Sequence, residues 1–426
     1  MTSEEWRRRV YYRLALGLIL AIGVFLRLPA ALFSGPAAPL AALGALHPNP
    51  GFDGIGFDEN LYRGYVNSLI REGLTQYPAI IDQYIGLQKT LTGSILPPTR
   101  FLYIFSGYLW HQLFGTEALS ALHNVSSLFN ILALFLATLF ASRLKGPPCG
   151  AAVAAMMAFA PTQLHMSQHA LVDGFFAFWA LFNLWMLWEN LRAPRQWLWL
   201  LPFTFGLSMM VVTKENAAFV YFALLVLIAV NRWAKWGVVT RELLAAMIIG
   251  PLLGVVILVF LAGGLTTLVG SYQLSAGKNY QLVYAIMTGD GPWHRYLVDL
   301  LLVSPVVLLL AVAALFRLDR TTKPELFLAV FIGASYLVMC NLKYGMNLRY
   351  ANMWDMPLRV LAFSQLSVLI PASPRYRVWI TCAAVGLICA VEMRQYLILF
   401  VEFPLYELVT EGLLRALQIL KSAPAP

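Results

Sequence analysis

The sequence predicts an all-α polytopic membrane protein, and its composition and the spacing of its apolar segments both point to this class. Of the 426 residues, 60% are hydrophobic and only 12% are charged, and the mean hydropathy is +0.70. Soluble proteins carry about 25% charged residues. So little charge cannot cover a water-facing surface, which excludes a soluble enzyme, a disordered chain and a nucleic-acid-binding domain.

Apolar segments long enough to cross a bilayer recur along the whole chain. A span needs about 20 apolar residues, and on that measure we place about eleven spans. They lie near residues 11–33, 118–141, 149–166, 170–190, 198–213, 217–231, 242–264, 296–316, 325–341, 356–371 and 378–399. The first lacks a cleavage motif of small residues, which favours an uncleaved N-terminal helix.

Basic residues orient these spans, because cytoplasmic loops collect Lys and Arg. Arg7, Arg8, Arg9 and Arg13 precede or open the first span. With the N-terminus placed in the cytoplasm, every short connection predicted on that side is basic, which also explains most of the net charge of +9. We therefore expect a multi-pass protein of the plasma (inner) membrane whose first long loop faces outward.

That first loop, residues 34–117, is the largest piece of the predicted single transmembrane domain of residues 1–426 that does not span. Loops of this length are usually functional or disordered, and its many aromatic and aliphatic residues favour order. Residues 59–72 predict an amphipathic helix, and residues 100–114 predict another that lies in the outer interface. In the short tail, residues 402–426, we predict an interfacial helix over 405–420.

Ionisable side chains beside spans are costly, so each is a functional candidate. The candidates lie at the predicted outer ends of the spans, and we place none in the middle of a span. They are Asp58, Glu59, Arg63, Lys89, His169, Asp173, Lys214, Glu215, Lys343 and Arg349. This placement predicts a polar cavity at the outer leaflet, suited to a substrate with a polar head and a lipid tail. Lys and Arg can hold a phosphate there, and a carboxylate can act as general base.

Five segments of the chain resemble motifs of one enzyme family. They are GFDENLYRGYVNSLIREG at 56–73, PPTRFLYIFSGYLWHQLFG at 97–115, SQHALVDGFFAFWALF at 167–182, VVTKENAAFV at 211–220 and GPWHRYLVDLLLVSP at 291–305. Their order and spacing are similar to those of the GT-C glycosyltransferases, specifically the branch of protein O-mannosyltransferases and aminoarabinose transferases. The resemblance covers most of residues 10–370 and implies a GT-C-like helical bundle.

The resemblance also implies roles for individual residues. Asp58 would be the catalytic base, with Glu59 completing an acidic pair. Asp173 would be a second acidic residue that positions the acceptor or its own helix. The cations for the donor phosphate would be Lys214 and Arg349, with Lys89 and Lys343 next and Arg63, His169 and Glu215 lining the substrate site. Leu96 departs from the family, whose members often have a basic residue or His directly before the Pro-Pro pair.

The implied function is a glycosyltransferase that moves a sugar from a polyprenyl-phosphate donor to a hydroxyl group at the outer membrane face, with inversion. Its partners would be the lipid-linked donor, a lipid, glycan or protein acceptor and membrane lipids, with no nucleic acid. No cofactor is expected. A divalent metal is possible but not favoured, because a lipid monophosphate carries less charge than a nucleotide diphosphate. A transporter or flippase of a lipid-linked substrate is the alternative, and a non-catalytic scaffold is a further one.

Purely structural explanations also stay open for several of these residues. Asp58 and Asp173 could be N-caps of their helices. Lys214 and Glu215 could form a local ion pair, and Arg349 could reach the lipid headgroups. His165 and His169 lie one helical turn apart, a spacing found in metal sites, although packing or hydrogen bonding is the favoured interpretation.

Overall fold

The computed structural model describes residues 3–34, 38–47, 56–278, 291–341, 346–370 and 374–420. Within these residues the chain is all-helical, as the sequence predicts. The α-helices are α1 Ser3–Arg27, α2 Phe57–Glu72, α3 Tyr77–Thr90, α4 Phe101–Phe114, α5 Ala118–Lys145, α6 Pro147–Ala158, α7 Pro161–Gln168, α8 Val172–Arg192, α9 Trp197–Val211, α10 Ala217–Ala234, α11 Arg241–Leu261, α12 Leu265–Lys278, α13 Arg295–Val303, α14 Pro305–Leu315, α15 Lys323–Met339, α16 Asp355–Leu369, α17 Pro374–Tyr396 and α18 Thr410–Ala416. A 3₁₀ helix, Leu348–Trp354, precedes α16, and a π-helical turn, Leu397–Glu402, follows α17.

Each predicted span lies on a helix or on a pair of consecutive helices. The segment 149–166 is divided into α6 and α7 at Pro161, and the segment 296–316 into α13 and α14 at Pro305. Proline lacks the N–H that would continue the earlier helix but is favourable at the start of a new one. Five of the described helices are long and apolar enough to cross a membrane: α1, α5, α10, α11 and α17 with its π-helical turn. Three shorter apolar helices, α6, α9 and α14, accompany them.

The described part of the long first loop is mostly helical, and it contains the two helices predicted at 59–72 and 100–114. Helix α2 buries Tyr62, Val66 and Leu69 and packs against α4 and α5. It ends at Gly73, whose φ of +81° suits glycine because this residue has no Cβ. Its N-cap is Gly56, whose N–H donates to the Glu59 carboxylate at 3.1 Å. Asp58 is therefore the second residue of α2, and the N-cap explanation for it is wrong.

The predicted helix over residues 405–420 is only partly present. Just Thr410–Ala416 is α-helical. The chain before it lies along the 3₁₀ helix, where the Leu348 N–H donates to the Leu408 carbonyl at 3.1 Å. This segment is thus held by hydrogen bonds to another part of the chain. Apolar periodicity alone could not reveal that pairing.

Candidate functional site

Arg349, in the 3₁₀ helix before α16, is the centre of a cluster of charged side chains. Its side chain is buried, with 2% of its surface exposed. Nη2 lies 3.1 Å from Oδ2 of Asp58 and 3.3 Å from Oε2 of Glu407, and Nε lies 3.9 Å from Oδ2 of Asp173. Carboxylates from α2, α8 and the segment before α18 therefore surround one guanidinium group, and the explanation that Arg349 reaches the headgroups is wrong.

Asp173, in the first turn of α8, forms a buried ion pair with Lys214. Lys214 Nζ lies 2.5 Å from Oδ1 of Asp173 and 4.2 Å from the centre of the Tyr350 ring. The N-cap position of α8 is Leu171, so Asp173 does not cap the helix. Because Asp58 and Asp173 both contact Arg349, the two carboxylates lie within the 10–12 Å or so that one sugar-sized site requires.

Glu215 pairs with Arg100 and not with its neighbour Lys214. Arg100 Nε donates to Oε2 of Glu215 at 3.2 Å, and Nη2 donates to the other carboxylate oxygen. Arg100 Nη1 also donates to the Tyr62 hydroxyl at 2.6 Å, which connects this pair to α2. Burial alone would raise the pKa of Glu215, but the Arg100 charge and hydrogen bonds lower it to about 2. The predicted local ion pair is therefore wrong.

Glu59 occupies its own site next to Asp58. Its carboxylate accepts hydrogen bonds from the backbone N–H of Ala170 at 2.6 Å and of Gly56 at 3.1 Å. His123 Nε2 lies at 3.0 Å and His169 Nδ1 at 3.5 Å. Burial would raise the pKa of Glu59, but the interactions with the two histidines bring it well below its usual range. We interpret Glu59 as the residue that holds the start of α2 against the start of α8. Asp58 is the acid of the pair that contacts Arg349 and is partly exposed.

The remaining sequence candidates lie apart from the cluster or outside the described residues. Lys343 belongs to the latter group. Arg63 donates to Asn60 on its own helix at 2.7 Å, and Lys89 is exposed in the last turn of α3, where its charge suits the helix dipole. Neither side chain contacts the cluster in the part of the chain that the structure describes.

The two histidines of α7 and its C-cap make contacts within the protein. His165 Nε2 lies 3.1 Å from the Tyr406 carbonyl, and its ring stacks on Phe400. The His169 ring packs edge-on against Tyr406. Among the described residues, no three His, Cys, Asp or Glu side chains are grouped as metal ligands would be. These contacts favour packing and hydrogen bonding for the pair.

Sequence reasoning missed Arg100, Tyr350 and Glu407. Arg100 follows the Pro97-Pro98 pair within a segment that already resembled the family, so its position was a usable signal. Tyr350 adjoins Arg349, and its ring contacts Lys214. Glu407 had no signal, because the apolar residues around it favoured a helix lying in the interface.

A second group of buried ionic side chains adjoins the 3₁₀ helix that carries Arg349, and one of its members, Glu392, lies inside the predicted span 378–399. Arg359, on α16, donates to Oδ1 of Asp355 at 2.8 Å and to Oε2 of Glu392 at 2.5 Å. Glu392 lies within the apolar span Tyr376–Glu402. Gln163, on α7, donates to the other oxygen of Asp355 at 2.9 Å. This network connects α7, α16 and α17 next to the 3₁₀ helix that carries Arg349.

Replacing Arg359 with Met is expected to destabilise the protein by about 3–5 kcal/mol, because Asp355 and Glu392 would be left buried without their cation. Thermal unfolding in detergent measures this effect. The matched control is Arg415→Gln, since Arg415 pairs with Glu411 on the exposed face of α18, where an ion pair contributes about 0–1 kcal/mol. Equal melting temperatures for Arg359→Met and the wild type would contradict the supporting role.

Comparison with known proteins agrees with the fold and the motifs. Residues 71–276 match the family model of dolichyl-phosphate-mannose-protein mannosyltransferases. No curated protein sequence matches the chain significantly. Among solved structures, the apo oligosaccharyltransferase of Archaeoglobus fulgidus superposes with a TM-score of 0.59 at 13% identity, covering 92% of this chain and 56% of its own. Apo ArnT of Cupriavidus metallidurans superposes with a TM-score of 0.53 at 14% identity, covering 97% of this chain and 76% of its own.

A third structure is the Archaeoglobus fulgidus oligosaccharyltransferase AglB with an inhibitory peptide and a dolichol-phosphate, which has a TM-score of 0.57 at 13% identity over 92% of this chain. The chain spans 56% of the length of this archaeal protein. These similarities confirm the resemblance to GT-C proteins that the sequence motifs indicate, and with it a multi-pass integral membrane fold.

Proposed function

We propose that this chain is a membrane glycosyltransferase that moves a sugar from a polyprenyl-phosphate donor to a hydroxyl group of a lipid, glycan or protein. The observation that carries the proposal is the cluster around Arg349, in which this buried cation contacts a partly exposed acid, Asp58, and a buried one, Asp173, which also holds Lys214. The match to a mannosyltransferase family and the dolichol-phosphate found with an archaeal neighbour of similar fold support this donor class.

The exposure of the two aspartates divides their roles. The Asp58 side chain is 18% exposed, whereas the Asp173 side chain is 5% exposed and paired with Lys214. Asp58 can therefore reach an acceptor hydroxyl, while Asp173 fixes the position of Lys214 and Arg349. Arg349 binds the donor phosphate, and this releases Asp58 from its ion pair.

The reaction is a single displacement at the anomeric carbon of the sugar. Asp58 takes the proton of the acceptor hydroxyl, and the acceptor oxygen forms a bond to the anomeric carbon. The bond between that carbon and the phosphate oxygen breaks, and the electron pair leaves with the lipid phosphate, whose charge Arg349 balances. Attack from the face opposite the phosphate inverts the configuration of the sugar.

The site is proposed to face the outside of the plasma (inner) membrane. The distribution of basic loops supports this orientation, since it places the N-terminus in the cytoplasm and the start of α2 on the opposite side. The lipid tail of the donor would then lie in the outer leaflet while its phosphate enters the cluster.

A transfer assay with a panel of polyprenyl-phosphate sugars in proteoliposomes tests the proposal. We expect a sugar-modified acceptor and free polyprenyl phosphate in equal amounts. A flippase would move the intact donor across the bilayer without releasing lipid phosphate. Movement of the intact donor without release of lipid phosphate would therefore contradict the glycosyltransferase proposal and favour the transporter.

Chelation is expected to leave the transfer rate largely unchanged, because the protein's own Arg and Lys side chains balance the charge of a leaving monophosphate. The measurement compares initial rates with and without EDTA, and with Mg²⁺, Mn²⁺ or Zn²⁺ added back. Loss of activity on chelation, restored by one of these metals, would show that the reaction needs a divalent ion.

A further inference from the structure

The segment before α18 enters the candidate site and is held there by several contacts. The Tyr406 ring lies against the start of α2, where it leaves no room for a side chain at Gly56. The Tyr406 carbonyl contacts His165, and the Leu408 carbonyl accepts from the Leu348 N–H. These contacts on both sides fix the position of Glu407, the residue between them.

Glu407 reaches the same face of Arg349 as Asp58. Oε2 of Glu407 lies 3.3 Å from Nη2 of Arg349 and accepts a hydrogen bond from Nδ2 of Asn347. The Glu407 side chain is 23% exposed, against 2% for Arg349. The displacement described above gives this carboxylate no part, since Asp58 takes the proton and Asp173 holds Lys214. A negative charge beside the phosphate-binding cation therefore needs another explanation.

The charge of the lipid phosphate changes during the proposed reaction. The donor is a phosphodiester with one negative charge. The released lipid phosphate is a monoester whose second pKa is about 6, so its charge is about −1.5 to −2 at pH 7. A fixed carboxylate next to Arg349 repels both forms, but it repels the more highly charged product more strongly.

We propose that Glu407 is a product-release residue, whose carboxylate competes with the lipid phosphate for Arg349 and speeds the departure of the doubly charged product. This inference rests on the proposed function and adds a step to it. When the donor binds, its phosphate displaces both Asp58 and Glu407 from Arg349. After transfer, the carboxylate returns to the guanidinium and the lipid phosphate leaves.

The test is the affinity of the full-length protein for sugar-free polyprenyl phosphate, measured in detergent at pH 5.5 and pH 8. Glu407→Gln removes the charge but keeps an oxygen that accepts from Asn347. We expect this variant to bind polyprenyl phosphate about fivefold more tightly than the wild type at pH 8. That factor corresponds to the contribution of one partly exposed charge pair. At pH 5.5 the phosphate is mostly singly charged, and the difference should shrink to about twofold.

The ratio between variant and wild type isolates the effect of Glu407. The titratable and charged groups of the site and its surroundings are His165, His169, Asp58, Glu59, Asp173, Lys214 and Arg349. They are the same in both proteins, so the ratio reports the loss of the Glu407 charge. The matched control is Glu411→Gln, because Glu411 lies four residues further on, in the first turn of α18, and is exposed and paired with Arg415. This variant should bind like the wild type at both pH values. A loss of packing alone would not produce a gain in affinity that increases with the charge of the phosphate.

Each outcome decides the matter. Equal or weaker binding by Glu407→Gln, or a gain that does not depend on pH, overturns the product-release role while leaving the proposed function in place. Failure of every protein to bind polyprenyl phosphate overturns both. If Glu407→Gln does not fold, Glu407→Asp replaces it, since the shorter side chain draws the charge away from Arg349. A smaller gain with the same pH dependence then supports the role, and no gain overturns it.

Discussion

Replacing Asp58 with Asn is expected to lower the turnover number for sugar transfer by about 10³-fold, the usual contribution of a general base. Asn has the same shape and can still accept a hydrogen bond from Arg349, so the protein should fold and bind the donor. Because a negative charge next to Arg349 is removed, the KM for the donor should stay the same or fall. Steady-state kinetics in proteoliposomes measure both constants.

The control for this variant is Asp82→Asn, because Asp82 is an exposed aspartate on α3 within the same long loop. It should leave both constants unchanged. If Asp58→Asn retained turnover, the base would have to be another residue, and Asp173, which contacts the same guanidinium group, would be the next candidate.

Replacing Arg349 with Lys is expected to raise the KM for the polyprenyl-phosphate sugar by about 10- to 100-fold, because a hydrogen bond to a charged group is worth about 1.5–3 kcal/mol. Lys keeps the positive charge among the three carboxylates, so the fold should survive. It cannot, however, offer two parallel N–H groups to a phosphate as Arg does. Arg349→Met removes the charge altogether and is expected to lose about 3–5 kcal/mol of stability as well.

The matched control is Arg63→Lys, since the sequence had also assigned Arg63 to the substrate but the structure places it on a local contact with Asn60. It should show wild-type kinetics. A similar rise in KM for both variants would mean that the phosphate binds elsewhere, nearer Arg63. An unchanged KM for Arg349→Lys would remove Arg349 from the donor site.

Much of the architecture could be predicted because it depends on local chemistry. Apolar length located the helices, and Gly73 marked the end of α2. The meeting of Asp58, Asp173, Lys214 and Arg349 could be anticipated because charges bordering spans are costly and tend to be paired. The breaks at Pro161 and Pro305 also had a visible signal, since proline favours the start of a helix, although apolar length alone predicts one span for each pair of helices.

The choice of partner within the site could not be predicted, since it depends on contacts between distant residues. Lys214 and Glu215 are adjacent and of opposite charge, yet each pairs with a residue on another element. Lys89 and Arg63 are cations in the same loop as Asp58, as a phosphate site would require. However, Arg63 donates to Asn60 on its own helix, and Lys89 is exposed at the end of α3. Glu407 looked like part of a surface helix because the hydrogen bond between Leu348 and Leu408 leaves no local pattern.

The position of Glu407 has a consequence for biosynthesis. The carboxylates around Arg349 come from α2, α8 and a stretch that follows α17, so they are translated at widely separated times. Between the translation of Arg349 and that of Glu407, the nascent polypeptide contains the cation but lacks one of its anionic neighbours. The cluster thus becomes complete only after α17 and the stretch that follows it have been translated, which couples maturation of the site to the synthesis of that stretch.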